Sequence, residues 1–245
     1  MPTLLLRLAA PMQSWGDESK YDVRRTLREP TKSGVVGLLA AALGLRRGQD
    51  EEIMRLSRAL RMGVRVEQEG EVQTDFHTVK GFSREKIKGE IRYEKDGTPI
   101  LDKNGYLTYR DYLNDAVFLV GLESGDETLL QALEQALHRP AFPLYLGRRS
   151  CPPTLPLALG LRTGSLEETL KREPWHAAER IVRRGLPRAG LRLILEEKPG
   201  VAARARMRDE PLSFSPLHRS YGYRALQQEQ RARPGQTQHD AMSEL

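Results

Sequence analysis

Side chains that can move a proton are scattered through this 245-residue chain. The five histidines, His77, His138, His176, His218 and His239, do not cluster. His77 with Lys80 and Tyr109 would make a metal-independent acid–base set if the strands carrying them meet, and His218 with Tyr221 would make a second. Either would move protons during cleavage of RNA through its 2′-hydroxyl. The same side chains can instead contact a nucleic acid or pack, and their loose spacing favours that simpler reading. No HExxH, GxSxG or GxGxxG pattern occurs. With Cys151 as the single cysteine, no intramolecular disulfide and no multi-cysteine zinc site can form. No metal and no cofactor are expected, and Cys151 reads as a small buried residue rather than a nucleophile.

Side chains that can hold an anion are better organised. Glu29-Pro30-Thr31-Lys32-Ser33-Gly34 leads into VVGLLAAALGL (Val35–Leu45), an apolar run with a marked helix start. Pro30 brings the chain in extended, and Thr31 or Ser33 can accept from an unpaired N–H of the first turn. Free amides, the positive end of the helix dipole and Lys32 together make a candidate anion site; a buried core helix with an ordinary cap is the plainer reading. The order Lys32-Ser33 before the glycines is wrong for a P-loop. The apolar run is too short to span a membrane. Upstream, Arg24, Arg25 and Arg28 form a basic loop. Trp15, in the turn Met12–Gly16, can stack on a base or close the core. Downstream, Tyr145-Leu146-Gly147-Arg148-Arg149-Ser150-Cys151-Pro152 places two guanidiniums after a glycine that permits a tight turn. Either arginine can bond a phosphate, lie on an unstacked base, or join Asp111 or Asp115 in an ion pair.

Charge is segregated. Residues 1–170 sum to zero, residues 171–235 carry +8, and the last ten carry −2, for a net +6. An arginine-rich C-terminal region suits phosphate contacts, although a solvated basic surface has the same composition. The apolar segment Thr3–Ala10 is interrupted by Arg7 and too short for a signal peptide, so a cytoplasmic protein that meets no membrane is expected.

The elements that must position these groups follow in order. Thr3–Ala10 reads as a strand, Ser33–Leu45 and Asp50–Met62 as helices, and Val64–Glu69 and Glu71–Val79 as strands. Lys80–Leu107 holds 7 basic and 5 acidic residues with little that can fill a core. Its Asp96-Gly97 and Asn104-Gly105 pairs are hairpin-turn signals. It is expected to protrude as a partly mobile hairpin carrying Arg84, Lys86 and Lys88, the alternative being a disordered insertion. Ala116–Leu122 (strand) and Asp126–His138 (helix) follow, then a short strand at Leu155–Leu161. Leu166–Arg172 reads as a helix, Leu191–Glu196 and Val201–Met207 as strands, and Arg208–Ser215 as irregular. Leu217–Arg224 interleaves basic and aromatic residues, and the chain after Gln227 is expected to be disordered. The class is α+β, close to a β-α-β-β-α-β ferredoxin-like, RRM-like plan, which by itself fixes no function.

The runs LRLAAPMQSWG (Leu6–Gly16), PTKSGVVGLLAAALG (Pro30–Gly44), DFHTV (Asp75–Val79), TYRDYLNDAVF (Thr108–Phe118), YLGRRSCP (Tyr145–Pro152) and RDEPL (Arg208–Leu212) resemble, in order, the CasD family. Members are subunits of Cascade, the type I-E CRISPR surveillance complex of antiviral defence. The resemblance implies a modified ferredoxin-like domain of the RAMP type over 1–162, with Lys80–Leu107 as a β-hairpin thumb lying across guide RNA. It implies a small C-terminal β region over 163–226, before a tail at 227–245. It further implies a non-catalytic subunit that grips the 5′ handle of the CRISPR RNA and caps the backbone. Its neighbours would be the backbone subunit and the large subunit, with target DNA met only indirectly. Candidate RNA contacts are Trp15, Arg24, Arg25, Arg28, Lys32, Ser33, Gly34, His77, Lys80, Arg84, Lys86, Lys88, Arg110, Gly147, Arg148, Arg149 and Ser150. The alternative is a metal-independent endoribonuclease that matures the CRISPR RNA, using His77, Lys80, Tyr109 and His218.

Overall fold

A computed structural model describes residues 1–16, 22–46, 48–82, 90–102, 105–183, 185, 190–198, 200–201, 203–215, 219–227 and 230–232. The chain opens with β1 (Pro2–Ala9), then four two-residue strands, β2 (Met12–Gln13), β3 (Trp15–Gly16), β4 (Val23–Arg24) and β5 (Thr26–Leu27). Helices α1 (Lys32–Leu43) and α2 (Asp50–Ala59) precede β6 (Arg61–Gln68), β7 (Glu71–Val79), β8 (Tyr106–Asn114) and β9 (Val117–Glu123). Next come α3 (Glu127–His138), β10 (Ala158–Thr163), α4 (Leu166–Arg172) and α5 (Glu179–Val182). The described elements end with β11 (Leu191–Leu195), β12 (Ala205–Ser213), β13 (Ser220–Leu226) and β14 (Gln230–Ala232).

The main sheet is six-stranded, in the order β10-β1-β9-β6-β11-β14, with every neighbouring pair antiparallel. The leucine run of β1 explains its central place. Leu4, Leu6 and Leu8 face one side in register with Leu122, Val120 and Phe118 of β9. Those three in turn meet Met62, Val64 and Val66 of β6. This side carries the larger core, closed by Val35, Val36 and Leu39 of α1 and Leu130 and Leu133 of α3. Leu5 and Leu119 point the other way, toward Leu166 and Leu170 of α4 and Leu193 and Leu195 of β11. With both faces covered, the central strands read as continuous apolar runs.

Arg65 is the charged exception on the α4 side. It is fully buried, and its guanidinium pairs with the Glu67 carboxylate while donating to the carbonyls of Leu170, Glu173 and Pro174. Those carbonyls end α4, so the arginine satisfies acceptors that a helix leaves open.

Three expectations need correction. Arg208–Ser215 is mostly ordered strand, because the inward residues of β12 are Asp209 and Pro211, which no apolar alternation reveals. Gln230–Ala232, beyond the point where disorder was expected, pairs with β11 and buries Ala232. β11 and β14, both beyond residue 162, extend the sheet that β1 begins. The short strand expected at Leu155–Leu161 runs instead from Ala158 to Thr163.

β7 and β8 pair over their full lengths, from Glu71↔Asn114 to Val79↔Tyr106, and most of β7 is exposed. The ladder thus begins well before Lys80. Farther out, Phe82 bridges Leu101 and Tyr93 bridges Pro99 around a turn in which Gly97 has φ 86° and donates to Glu94 O at 3.0 Å. Arg84, Lys86 and Lys88 lie outside the described residues.

Candidate nucleic-acid interface

A cleft of about 880 Å3 opens where the start of α1, the loop 142–152, β3–β4 and the β12–β13 ribbon converge. Arg24, Arg25, Arg46, Arg148, Arg149 and Arg219 line it, and among the described residues its lining holds no Asp or Glu. Phe142, Tyr145, Phe214 and Tyr221 add aromatic surface beside Leu38, Ala41, Leu45 and Ile53. Arg25, Arg46, Arg149 and Arg219 are exposed, with no carboxylate partner among the described residues. A wall of unpaired guanidiniums raises the local concentration of anions, and flat aromatic and apolar surface beside it accepts an unstacked base.

The loop over Gly147 sets part of that wall. Ser14 N–H donates to Leu146 O at 3.1 Å, Leu146 N–H to Cys151 O at 2.8 Å and Cys151 N–H to Arg148 O at 2.9 Å. Gly147 has φ 86°, and a Cβ there would stand 1.6 Å from Ser14 O. Only glycine fits so tight a crossing. Arg148 and Arg149 diverge from it. Arg148 donates from Nη1 to Asp111 O and from Nη2 to Arg24 O, each at 2.9 Å, and its guanidinium lies 4.7 Å from the centroid of the Tyr112 ring. Its partner at Asp111 is the backbone carbonyl, not the carboxylate that the ion-pair alternative would use, and Asp115 pairs with Arg180. Arg149 and Ser150 face solvent, with Ser150 Oγ 3.5 Å from the Tyr112 hydroxyl. Cys151 is buried, and burial pushes its thiol up against the pull of Ser150 and Arg148.

The candidate anion site at the helix start is filled from within the chain, in line with the plainer reading of a buried, capped helix. Thr31, not Ser33, is the N-cap, accepting from Gly34 N at 3.1 Å. Lys32 is 3% exposed and ion-pairs with Glu196 at 2.8 Å and Glu210 at 3.1 Å, which withdraws it from any RNA contact. Its backbone N–H donates to Asp209 Oδ2 at 2.8 Å. Gly34 serves packing, since a Cβ there would meet Thr31 Oγ1 at 2.8 Å and the Trp15 ring at 3.1 Å. Trp15 is fully buried, its indole N–H bonded to Gln13 Oε1 at 3.1 Å, so it closes the core and offers no stacking face. Ser33 does line the cleft. Arg28 is exposed but does not.

The acid–base set does not assemble. His77 stands opposite Thr108, and Phe76 opposite Tyr109, so alternation along the strands sends His77 and Tyr109 to opposite faces of the hairpin. His77 Nε2 lies 3.1 Å from Asp75 Oδ2, and Lys80 is exposed at the end of β7. Arg110 lies on β8 in register with both Asp75 and Arg24. His218 lies outside the described residues. Among the described residues no group of three or more His, Cys, Asp and Glu stands close enough to hold a metal ion. No described helix is long and apolar enough to cross a membrane.

Arg46, Arg219, Tyr145, Phe142 and Phe214 were not among the candidates, and Tyr221 was one only as an acid–base partner of His218. For Arg219 and Tyr221 a signal existed: basic and aromatic residues two apart at the start of a strand. For Arg46 none did, because its place depends on where α1 ends.

A strand-rich α/β protein with an arginine-walled cleft beside a projecting hairpin has the surface of one that holds a polyanion. The chain belongs to the CRISPR-associated protein Cas5 family, whose sequence profile matches residues 3–227. It is 38% identical over 167 residues to the CRISPR system Cascade subunit CasD of Escherichia coli (strain K12), covering 64% of this chain and 70% of that one. Its fold superposes on a chain of a CRISPR RNA-guided surveillance complex with TM-score 0.71 and 32% identity, over 94% of this chain and 90% of the other. A second solved structure, a Cas protein, gives TM-score 0.65 and 38% identity over 93% of each chain.

Proposed function

We propose that this chain is a non-catalytic RNA-binding subunit of a Cascade-type CRISPR surveillance complex. It grips the 5′ handle of the CRISPR RNA and caps the backbone filament, contacting the backbone subunit and the large subunit in the cytoplasm. The observation that carries this is the cleft wall: among the described residues, six arginines and no carboxylate, in a member of a CRISPR-associated family. Of the candidate contacts, Arg24, Arg25, Ser33 and Arg149 face the strand, Gly147 and Arg148 shape the loop, and His77, Lys80 and Arg110 belong to the hairpin. The β10-β1-β9-β6 order, with helices crossing between β1 and β6 and between β9 and β10, supports a ferredoxin-like domain of the RAMP type. On that reading the β7–β8 hairpin is the thumb that lies across the guide.

The endoribonuclease alternative loses its main support with His77 and Tyr109 on opposite faces of the hairpin. Two measurements test the proposal together. The full chain is expected to leave repeat RNA intact in chelator, and native mass spectrometry of material purified on this chain is expected to show RNA and further protein subunits. Site-specific cleavage lost on His77→Ala would overturn the non-catalytic reading, and recovery of the chain free of RNA would overturn the binding role.

A further inference from the structure

We infer that Arg148 is a positioning residue: its guanidinium holds in place the strand that presents Arg24 and Arg25 to the cleft. This rests on the reading that the cleft takes an RNA strand. The two neighbours on the Gly147 loop have divided roles. Arg149 is exposed and has no partner among the described residues, so it is free to meet a phosphate. Arg148 spends one arm of its fork on Asp111 O and the other on Arg24 O, with Tyr112 beneath its plane. A guanidinium held by two carbonyls over a ring has its plane fixed by the protein, and both of its Nη atoms already donate within the chain.

What it holds needs holding. β4 is two residues long and forms the edge of its small sheet, pairing in parallel with β8 through Val23↔Tyr109 and Arg24↔Arg110. Tyr109 N–H donates to Asp22 O at 2.7 Å. So short a ladder has little cooperativity of its own, and a side-chain donor on the Arg24 carbonyl is a large share of its support. The root of Arg148 is rigid, because the Gly147 crossing locks that loop on Ser14. Arg148 therefore ties β8, the inner strand of the hairpin, to the arginine strand of the cleft.

Lysine separates positioning from direct contact, since an ammonium keeps the charge but cannot fork onto two carbonyls. Arg148→Lys and Arg148→Ala, each checked for a cooperative melt, are compared by amide hydrogen exchange and by binding of a fluorescent single-stranded RNA copied from the repeat-derived 5′ segment. Both variants are expected to speed exchange in residues 22–27 and at Tyr109 by about tenfold or more, leaving β1 and β9 unchanged. Both are expected to weaken RNA binding alike, by about tenfold, and to have no further effect on top of Arg24→Ala with Arg25→Ala. Unchanged exchange at β4, wild-type affinity in Arg148→Lys, or losses that add would each overturn the inference. If the wild-type chain does not bind the RNA, the cleft reading falls, and the exchange measurement still decides what Arg148 holds.

Discussion

Asp209 Oδ2 accepts the backbone N–H of Lys32 at 2.8 Å across a separation of 177 residues. The start of α1 is thus closed by a carboxylate from β12, and Arg224 holds that carboxylate through Nε at 3.0 Å and Nη2 at 2.7 Å. Asp209 and Arg224 are both nearly inaccessible. The contact links the apolar helix beneath the cleft to the ribbon that carries Phe214 and Tyr221.

Asp209→Ala removes the carboxylate that holds the buried Arg224 at two points, leaving it Glu196 at 3.7 Å, and takes the acceptor from the helix N-terminus. The expected loss is about 3–5 kcal/mol of unfolding free energy. Asp209→Asn keeps an acceptor for the Lys32 amide and should lose less. Urea denaturation of both variants checks this, and a loss below about 1 kcal/mol for the alanine would mean that the network contributes little.

Gly147→Ala puts a methyl carbon on top of Ser14 O in a left-handed backbone conformation. The backbone strain alone is of order 1–3 kcal/mol, and the clash forces the loop off β2–β3. The variant is expected to melt lower and to bind RNA more weakly, because Arg148 and Arg149 move with the loop. An unchanged melt would show that the loop relaxes freely.

Acid should unfold the protein partly through Glu173. Burial would raise its pKa, but hydrogen bonds from His176 and Arg162 and the charge of Arg162 outweigh that and bring it from 4.5 to about 2. The unfolded state then binds more protons between those values. The contribution is full above pH 4.5 and fades as pH falls toward 2, amounting to about 3 kcal/mol at most. Glu173→Gln should lower stability near neutral pH and flatten its fall between pH 5 and 2. An acid limb as steep as wild type would place the titration elsewhere.

Counterion release offers a count of phosphate contacts. Arg149→Ala and Arg25→Ala should each weaken RNA binding by about tenfold and reduce the salt slope by about 0.7. Arg183→Ala removes a charge that pairs with Glu179, outside the cleft, and should change neither. Binding titrations over a range of salt concentrations decide it, and equal effects from all three would indicate a diffuse field rather than a site.

The core was legible where apolar residues alternate or run together. The β1 leucines, the capped start of α1 and the leucine stripe of α3 announce themselves because burial selects them. β12 did not, since its inward side chain is Asp209, whose partners Lys32 and Arg224 are remote in sequence. The same remoteness left the helix start open to two readings: a cap and a lysine look like an anion site whether the anion is a ligand or the chain's own carboxylate. Trp15 was ambiguous for a related reason, because its burial depends on Gly34 making room above it. Arg24, Arg25 and Arg149 were legible as charges, but their convergence on one cleft with Arg46 and Arg219 is a property of the tertiary fold alone.

The most direct test of the cleft as an RNA site is photo-crosslinking of the full chain to handle RNA carrying 4-thiouridine, with the linked peptides mapped by mass spectrometry. Crosslinks are expected in the segments around Arg25, Tyr145–Arg149 and Arg219–Tyr221, and they should vanish in the Arg25→Ala, Arg149→Ala double variant. Crosslinks confined to the α4 side of the sheet, or unaffected by those substitutions, would contradict the account.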